Sequence, residues 1–99
     1  MDGLVRFLLD RISDDERRWR RRAKASEDAA AEAMRWLAEC AAKREIIGIM
    51  QRMIILRDQP MERQVRDAAE EVLRRLAALY EDHAAYRSQW RPKPGRVLI

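Results

Sequence analysis

The sequence predicts an all-α fold, a helical hairpin or three-helix bundle with a short fourth helix if the chain breaks late, completed by dimerisation. Three observations lead there. Only three glycines and three prolines occur in 99 residues, too few breakers for a loop-rich or multi-stranded chain. Hydrophobic residues make up 47% and charged residues 38%, the balance of a folded chain with a charged surface rather than a disordered one. Apolar residues recur at three- and four-residue spacing over long stretches, the period of a helix face. A chain this short buries only about 60–65% of its extended surface, so one thin core is all it owns and a second copy is expected to help cover it.

The first helix starts near Leu4, with Asp2 available as its cap. Neither Pro nor Gly occurs from Leu4 to Ile47, and Leu4, Leu8, Ile12, Trp19 and Ala23 fall on one face. Ser13-Asp14-Asp15-Glu16 reads as a capping box, yet continuity through it is favoured. The turn is placed at Ser26, whose hydroxyl can cap a new helix carrying Glu27 and Asp28 in its first turn. An unbroken rod from 3 to 57 would be about 80 Å long and would have nowhere to bury its stripe.

The second helix is expected from about Ala29 to Leu56. Its later half carries Ile46, Ile47, Ile49, Met50, Met53, Ile54 and Leu56 over about half the circumference, more than one neighbour covers. Gly48 lies in that stretch and costs helix stability, so it marks either a closely crossing helix or a tolerated accident. Arg57-Asp58-Gln59-Pro60 closes this helix and opens the next. The third helix places Val65, Ala68, Ala69, Val72, Leu76, Leu79 and Tyr80 on one stripe, with Asp67, Glu70, Glu71 and Arg74 opposite. If it continues, His83, Tyr86 and Trp90 extend the stripe; if it breaks, Asp82 caps a short fourth helix. Either way those rings face inward. Residues 1–91 form one domain, and 92–99 an extended basic tail whose Val97-Leu98-Ile99 end can dock on a neighbouring subunit.

Arg17, Arg20, Arg21 and Lys24 oppose the core face and, with Arg18 and Arg22, offer a basic cluster to an acidic partner or to phosphate. The net charge is +4, but 17 carboxylates are mixed with 21 basic groups, and Asp14 and Glu16 stand four residues before Arg18 and Arg20, the order that favours i,i+4 pairing. No Asn, Gln, Ser or Thr for reading base edges occurs between 17 and 25, so sequence-specific DNA recognition is not expected.

His83 is the only histidine and lacks a second positioned group for acid–base work, and no ligand set for a metal or other cofactor is visible. Cys40 reads as a small packing residue. A lone cysteine forms no internal disulfide, and no apolar run approaches the roughly 18 residues of a membrane span, so neither a signal peptide nor a membrane segment is expected and a reducing cytoplasm is the expected compartment. Trp36 projects with Ile47 and Ile54 and suits an apolar surface that a partner covers.

Three stretches carry a resemblance: LVRFLLDRISDDE at 4 to 16, WLAECAAKREII at 36 to 47, and RLAALYEDHAAYRSQWRP at 75 to 92. They resemble a family of small actinobacterial and actinophage helical proteins of unknown function. Its pattern runs Leu-Val-x-Phe-Leu-x-x-Arg, then Glu-x-x-Ala-Lys-Arg-x-Ile, then Tyr-x-Asp-His-x-x-Tyr-x-x-x-Trp-Arg-Pro. The last is the most specific, matched at Tyr80, Asp82, His83, Tyr86, Trp90, Arg91 and Pro92. Ala84 stands where the family tends to carry proline, which favours a continuous helix through 83–90. Glu32-Ala33 replaces a frequent Asp-Pro. The resemblance implies an actinobacterial or phage setting, carries no mechanism, and singles out the Tyr80–Trp90 cluster as a shared packing lock or binding surface.

The expected function is a non-enzymatic protein–protein interaction module that self-associates as a homodimer or higher oligomer. Trp36, Ile46, Ile47, Ile49, Met50, Met53, Ile54 and Leu56 make that interface, and the arginine face steers an acidic host protein. The alternative is nucleic-acid binding through Arg17, Arg18, Arg20, Arg21 and Arg22 with Lys93 and Arg96 of the tail.

Overall fold

The computed structural model describes residues 3–55 and 62–92. Asp2, Leu56, the Arg57–Pro60 break and the tail beyond Pro92 lie outside the described residues. The described chain is α1 (Leu4–Arg22), α2 (Glu27–Ile55), α3 (Glu62–Ala78) and a 3-10 turn over Ser88–Trp90, with no strand among the described residues. The fold is all-α.

Gly3 takes the N-cap position of α1 at φ 75, with no side-chain cap bond. That left-handed backbone favours glycine, which has no Cβ to clash. Its carbonyl accepts the first helical bond from the Phe7 N–H at 2.8 Å. The helix then runs unbroken through Ser13, as expected, and ends on Arg20, Arg21 and Arg22, where positive charge suits the negative end of the helix dipole.

The turn falls at Ser26, as expected. The Ala29 N–H donates to Ser26 Oγ at 3.0 Å, satisfying one of the N–H groups left free at a helix start. With Glu27 and Asp28 forming its first turn, α2 starts two residues before the expected Ala29. At 29 residues it is about 44 Å long, the spine against which α1 and α3 both pack.

The core joins Leu4, Phe7, Leu8 and Ile12 of α1, Cys40 and Ile47 of α2, Leu73 and Ala77 of α3, and Trp90. The buried face of α3, formed by Ala69, Leu73 and Ala77, is rotated from the expected stripe, and Val65, Val72 and Leu79 are exposed. Leu73 and Ala77 lie on the flank toward the C-terminal turn, where the Arg74 guanidinium donates to the Gln89 carbonyl at 3.1 Å. The returning chain, absent from a helix-by-helix projection, decides which side of α3 is inward.

The expected continuous helix through 83–90 does not form, and Asp82 caps no fourth helix. After Ala78 the chain descends in single turns, Tyr80 N–H to the Ala77 carbonyl, His83 N–H to that of Tyr80 and Tyr86 N–H to that of His83, each 2.9 Å. A straight helix would string Tyr80, His83, Tyr86 and Trp90 along about 15 Å, too far for all four to reach one ring. The turns gather them around Phe7.

Gly48 is not a close-crossing point, because a Cβ built there meets nothing within 4 Å. Of the two readings of this glycine, the tolerated one stands.

Candidate functional site

Phe7 is the hub of the aromatic cluster. Its ring centroid lies 6.3 Å from Tyr80, 5.8 Å from His83, 5.9 Å from Tyr86 and 5.0 Å from Trp90. The first three meet it edge to face, the geometry that aligns positive ring edges with a negative ring face. Trp90 is buried, Tyr80 and Tyr86 are half-buried, and His83 is exposed, so the expectation that all these rings face inward fails at His83. Its ring instead closes the outside of the cluster. The Ala85 N–H donates to His83 Nδ1 at 3.0 Å, and Arg11 Nη1 lies 2.7 Å from the same nitrogen and also touches Nε2.

The Tyr80 hydroxyl donates to Asp15 Oδ2 at 2.8 Å. Burial and then the Asp15 hydrogen bond push the phenol above its ordinary range, so it stays a neutral donor. Lys43 Nζ stands 5.7 Å above the Tyr80 ring, a cation–π contact that joins α2 to the same residue. On the neighbouring flank Arg44 donates to Glu16 Oε1 at 2.6 Å, to Oε2 at 3.2 Å and to Ser13 Oγ at 2.8 Å. The bond from Arg44 holds the Glu16 carboxyl below the usual range. Burial, then the nearby Asp15 and Glu16, pushes the Cys40 thiol up, consistent with its reading as a packing residue.

The arginine cluster is solvent-facing as expected, with Arg17, Arg18, Arg20, Arg21, Arg22 and Lys24 all exposed. Its acid partners differ from the expected i,i+4 set. Asp14 bridges Arg11, at 3.0 Å, and Arg17; Asp15 faces Arg18 at 3.7 Å; Arg22 reaches Glu32 at 4.0 Å. Glu16 is taken across the hairpin by Arg44. Beside these arginines, Arg11, Asp14, Asp15, Arg17, Arg18, Arg21, Tyr80 and His83 line a cleft of about 290 Å³.

The apolar interface expected on α2 divides. Ile47 belongs to the chain's own core, a correction to its place in the outward set, and Met50 and Ile54 pack partly buried against that core. Met53 is half-buried. Ile46 and Ile49 remain 37% and 42% exposed. Trp36 is also well exposed, but one ring face is taken within the chain, stacked on Trp19 at 5.3 Å and 9°. Leu56 lies outside the described residues.

The sequence reading missed what α3 adds. Val65 and Val72 are 37% and 38% exposed, and Leu79 is 66% exposed. Lys43 over Tyr80 and the short link between Ile55 and Glu62 make α2 and α3 antiparallel. Helical projection then turns the Ile46–Ile49–Met53 flank and the Val65–Val72–Leu79 flank to the same outer groove. The seven-residue spacing of those three α3 residues was the available signal. Within a single-helix projection such a stripe is indistinguishable from a core face.

A family model described as a family of unknown function, DUF6221, matches residues 1–92. The chain belongs to DUF6221. No curated protein and no solved structure matches it. Within this DUF6221 chain the three motif stretches meet in space: Phe7 and Arg11 of the first touch the aromatic residues of the last, and Lys43 of the middle one covers Tyr80. Among the described residues no group of three or more His, Cys, Asp or Glu is placed to hold a metal ion, and no helix is long and apolar enough to cross a membrane.

Proposed function

We propose that this chain is a non-enzymatic protein–protein interaction module that self-associates through the outer α2–α3 groove. The observation that carries the reading is the paired exposure of Ile46 and Ile49 with Val65 and Val72, an apolar strip on two adjoining helices that water covers poorly. Two copies related by a twofold axis would lay this strip on itself, the commonest way a small helical chain completes its core. Met53 supplies an adaptable contact at the edge. The arginine face of α1 lies apart from the strip and suits steering toward an acidic partner surface. Together with the actinobacterial and phage resemblance, this fits a phage-derived accessory factor acting on a host protein inside the cytoplasm.

Nucleic-acid binding ranks second. Exposure of Arg20, Arg21 and Lys24 favours it, whereas the pairing of Arg17, Arg18 and Arg22 with carboxylates dilutes the field a phosphate backbone meets.

Sedimentation velocity tests the first reading. The expected result is a dimer or larger species at micromolar concentration, converted to monomer by Ile46→Asp with Ile49→Asp while helicity by circular dichroism stays unchanged, both side chains being outside the core. A wild-type chain that sediments as a monomer throughout the micromolar range overturns it.

A further inference from the structure

The cleft on the outer side of α1 shares no residue with the α2–α3 strip, and its chemistry is different. Four guanidinium groups, Arg11, Arg17, Arg18 and Arg21, line it against two carboxylates, Asp14 and Asp15. Two positive charges are therefore uncompensated within it. Both carboxylates are already engaged. Asp14 is shared by Arg11 and Arg17, and Asp15 accepts the Tyr80 hydroxyl, keeping only a 3.7 Å approach to Arg18. The Arg21 guanidinium has no ion pair or hydrogen bond among the described residues, although its backbone carbonyl accepts the Lys24 N–H.

Arg11 differs from the others in being held. Its side chain is only 14% exposed, its guanidinium lies 5.3 Å over the Phe7 ring, and it is tied to both Asp14 and His83. A cation whose position is set by packing loses little freedom when an anion arrives, whereas Arg18 and Arg21 are free to swing onto it. At about 290 Å³ the cleft stands at the lower end of ligand-site sizes, and its wall of Tyr80 and His83 gives it a floor that a flat basic surface lacks.

We propose that this cleft binds a doubly charged phosphate group, inorganic phosphate or a phosphate monoester, with Arg18 and Arg21 closing on its oxygens and Arg11 as the fixed base. The charge excess selects the class. A monoester dianion matches two uncompensated guanidinium groups, while the singly charged diester of a nucleic-acid backbone leaves one unmet. The cleft is thus a site for a terminal phosphate rather than a track for a strand.

Titration of the isotopically labelled full-length chain followed by NMR tests this at constant ionic strength and slightly alkaline pH. Inorganic phosphate is expected to shift the His83 ring and Ala85 amide signals saturably. Dimethyl phosphate is expected to bind about tenfold more weakly or worse, as is inorganic phosphate with the Arg18→Gln, Arg21→Gln double variant. Arg6→Gln, an exposed residue outside the cleft, is expected to change nothing. Phosphoserine and adenosine monophosphate added in parallel distinguish a modified side chain from a nucleotide as the source, and saturable binding of either supports the proposal. Shifts that never saturate, equal affinity for the diester, or an equal loss in Arg6→Gln overturn it.

Discussion

At position 48 the backbone of α2 carries no side chain, and open space surrounds the place where a Cβ would stand. Glycine there forfeits helix propensity without gaining a close approach. Gly48→Ala is therefore expected to raise stability by about 0.5–1 kcal/mol, read as a higher urea midpoint with unchanged slope. A destabilised variant would mean that something occupies that space in solution. Other residues divide according to how local their determinants are. Ser26 was legible as a cap because its partner is three residues away. Ile47 was misplaced because α2 is apolar on several sides, and nothing local says which isoleucine meets the core. Phe7 stood in the first motif without being singled out, since its partners are more than 70 positions later in the chain.

Between elements, the hairpin of α1 and α2 is fastened by Arg44 on Glu16 and Ser13. Because the folded Glu16 carboxyl sits below its ordinary value, the unfolded chain binds this proton more readily. The bond's stabilisation is complete above the ordinary glutamate range near pH 4.3 and disappears as the pH falls through the lower folded value. Arg44→Met is expected to cost roughly 1 kcal/mol at neutral pH, the guanidinium being partly solvated. It should also remove this share of the acid sensitivity. Urea melts at pH 7 and pH 3 for both proteins measure it, and a pH dependence identical in the two would refute the assignment. The pairing was invisible in the sequence, where Glu16 had a nearer candidate in Arg20. A partner on the facing helix wins because it adds a third bond to Ser13 and is less exposed to water.

For the whole molecule the deciding contact is Phe7, where α1 meets the turns that follow α3. Phe7→Ala removes a ring that four others touch, and a buried aromatic truncation costs about 3–5 kcal/mol, a large share of the roughly 5–15 kcal/mol that holds a domain folded. Equilibrium denaturation followed by far-ultraviolet circular dichroism is expected to show that loss. A change below about 1 kcal/mol would mean that the cluster does not lock the C-terminal turns to α1.

Sequence alone determined the all-α class and the exposed arginine face and favoured an unbroken first helix and a turn at Ser26, which the structure then settled, because helix propensity, capping and amphipathic period act within a few residues of each other. Only the tertiary structure decided which flank of α3 is buried, that residues 79–90 coil around Phe7 instead of extending a helix, and that Arg11, Arg18 and Arg21 share a cleft with Tyr80 and His83. Those outcomes depend on contacts between segments far apart in the chain, and a periodic pattern reports that a face is apolar without reporting what will cover it.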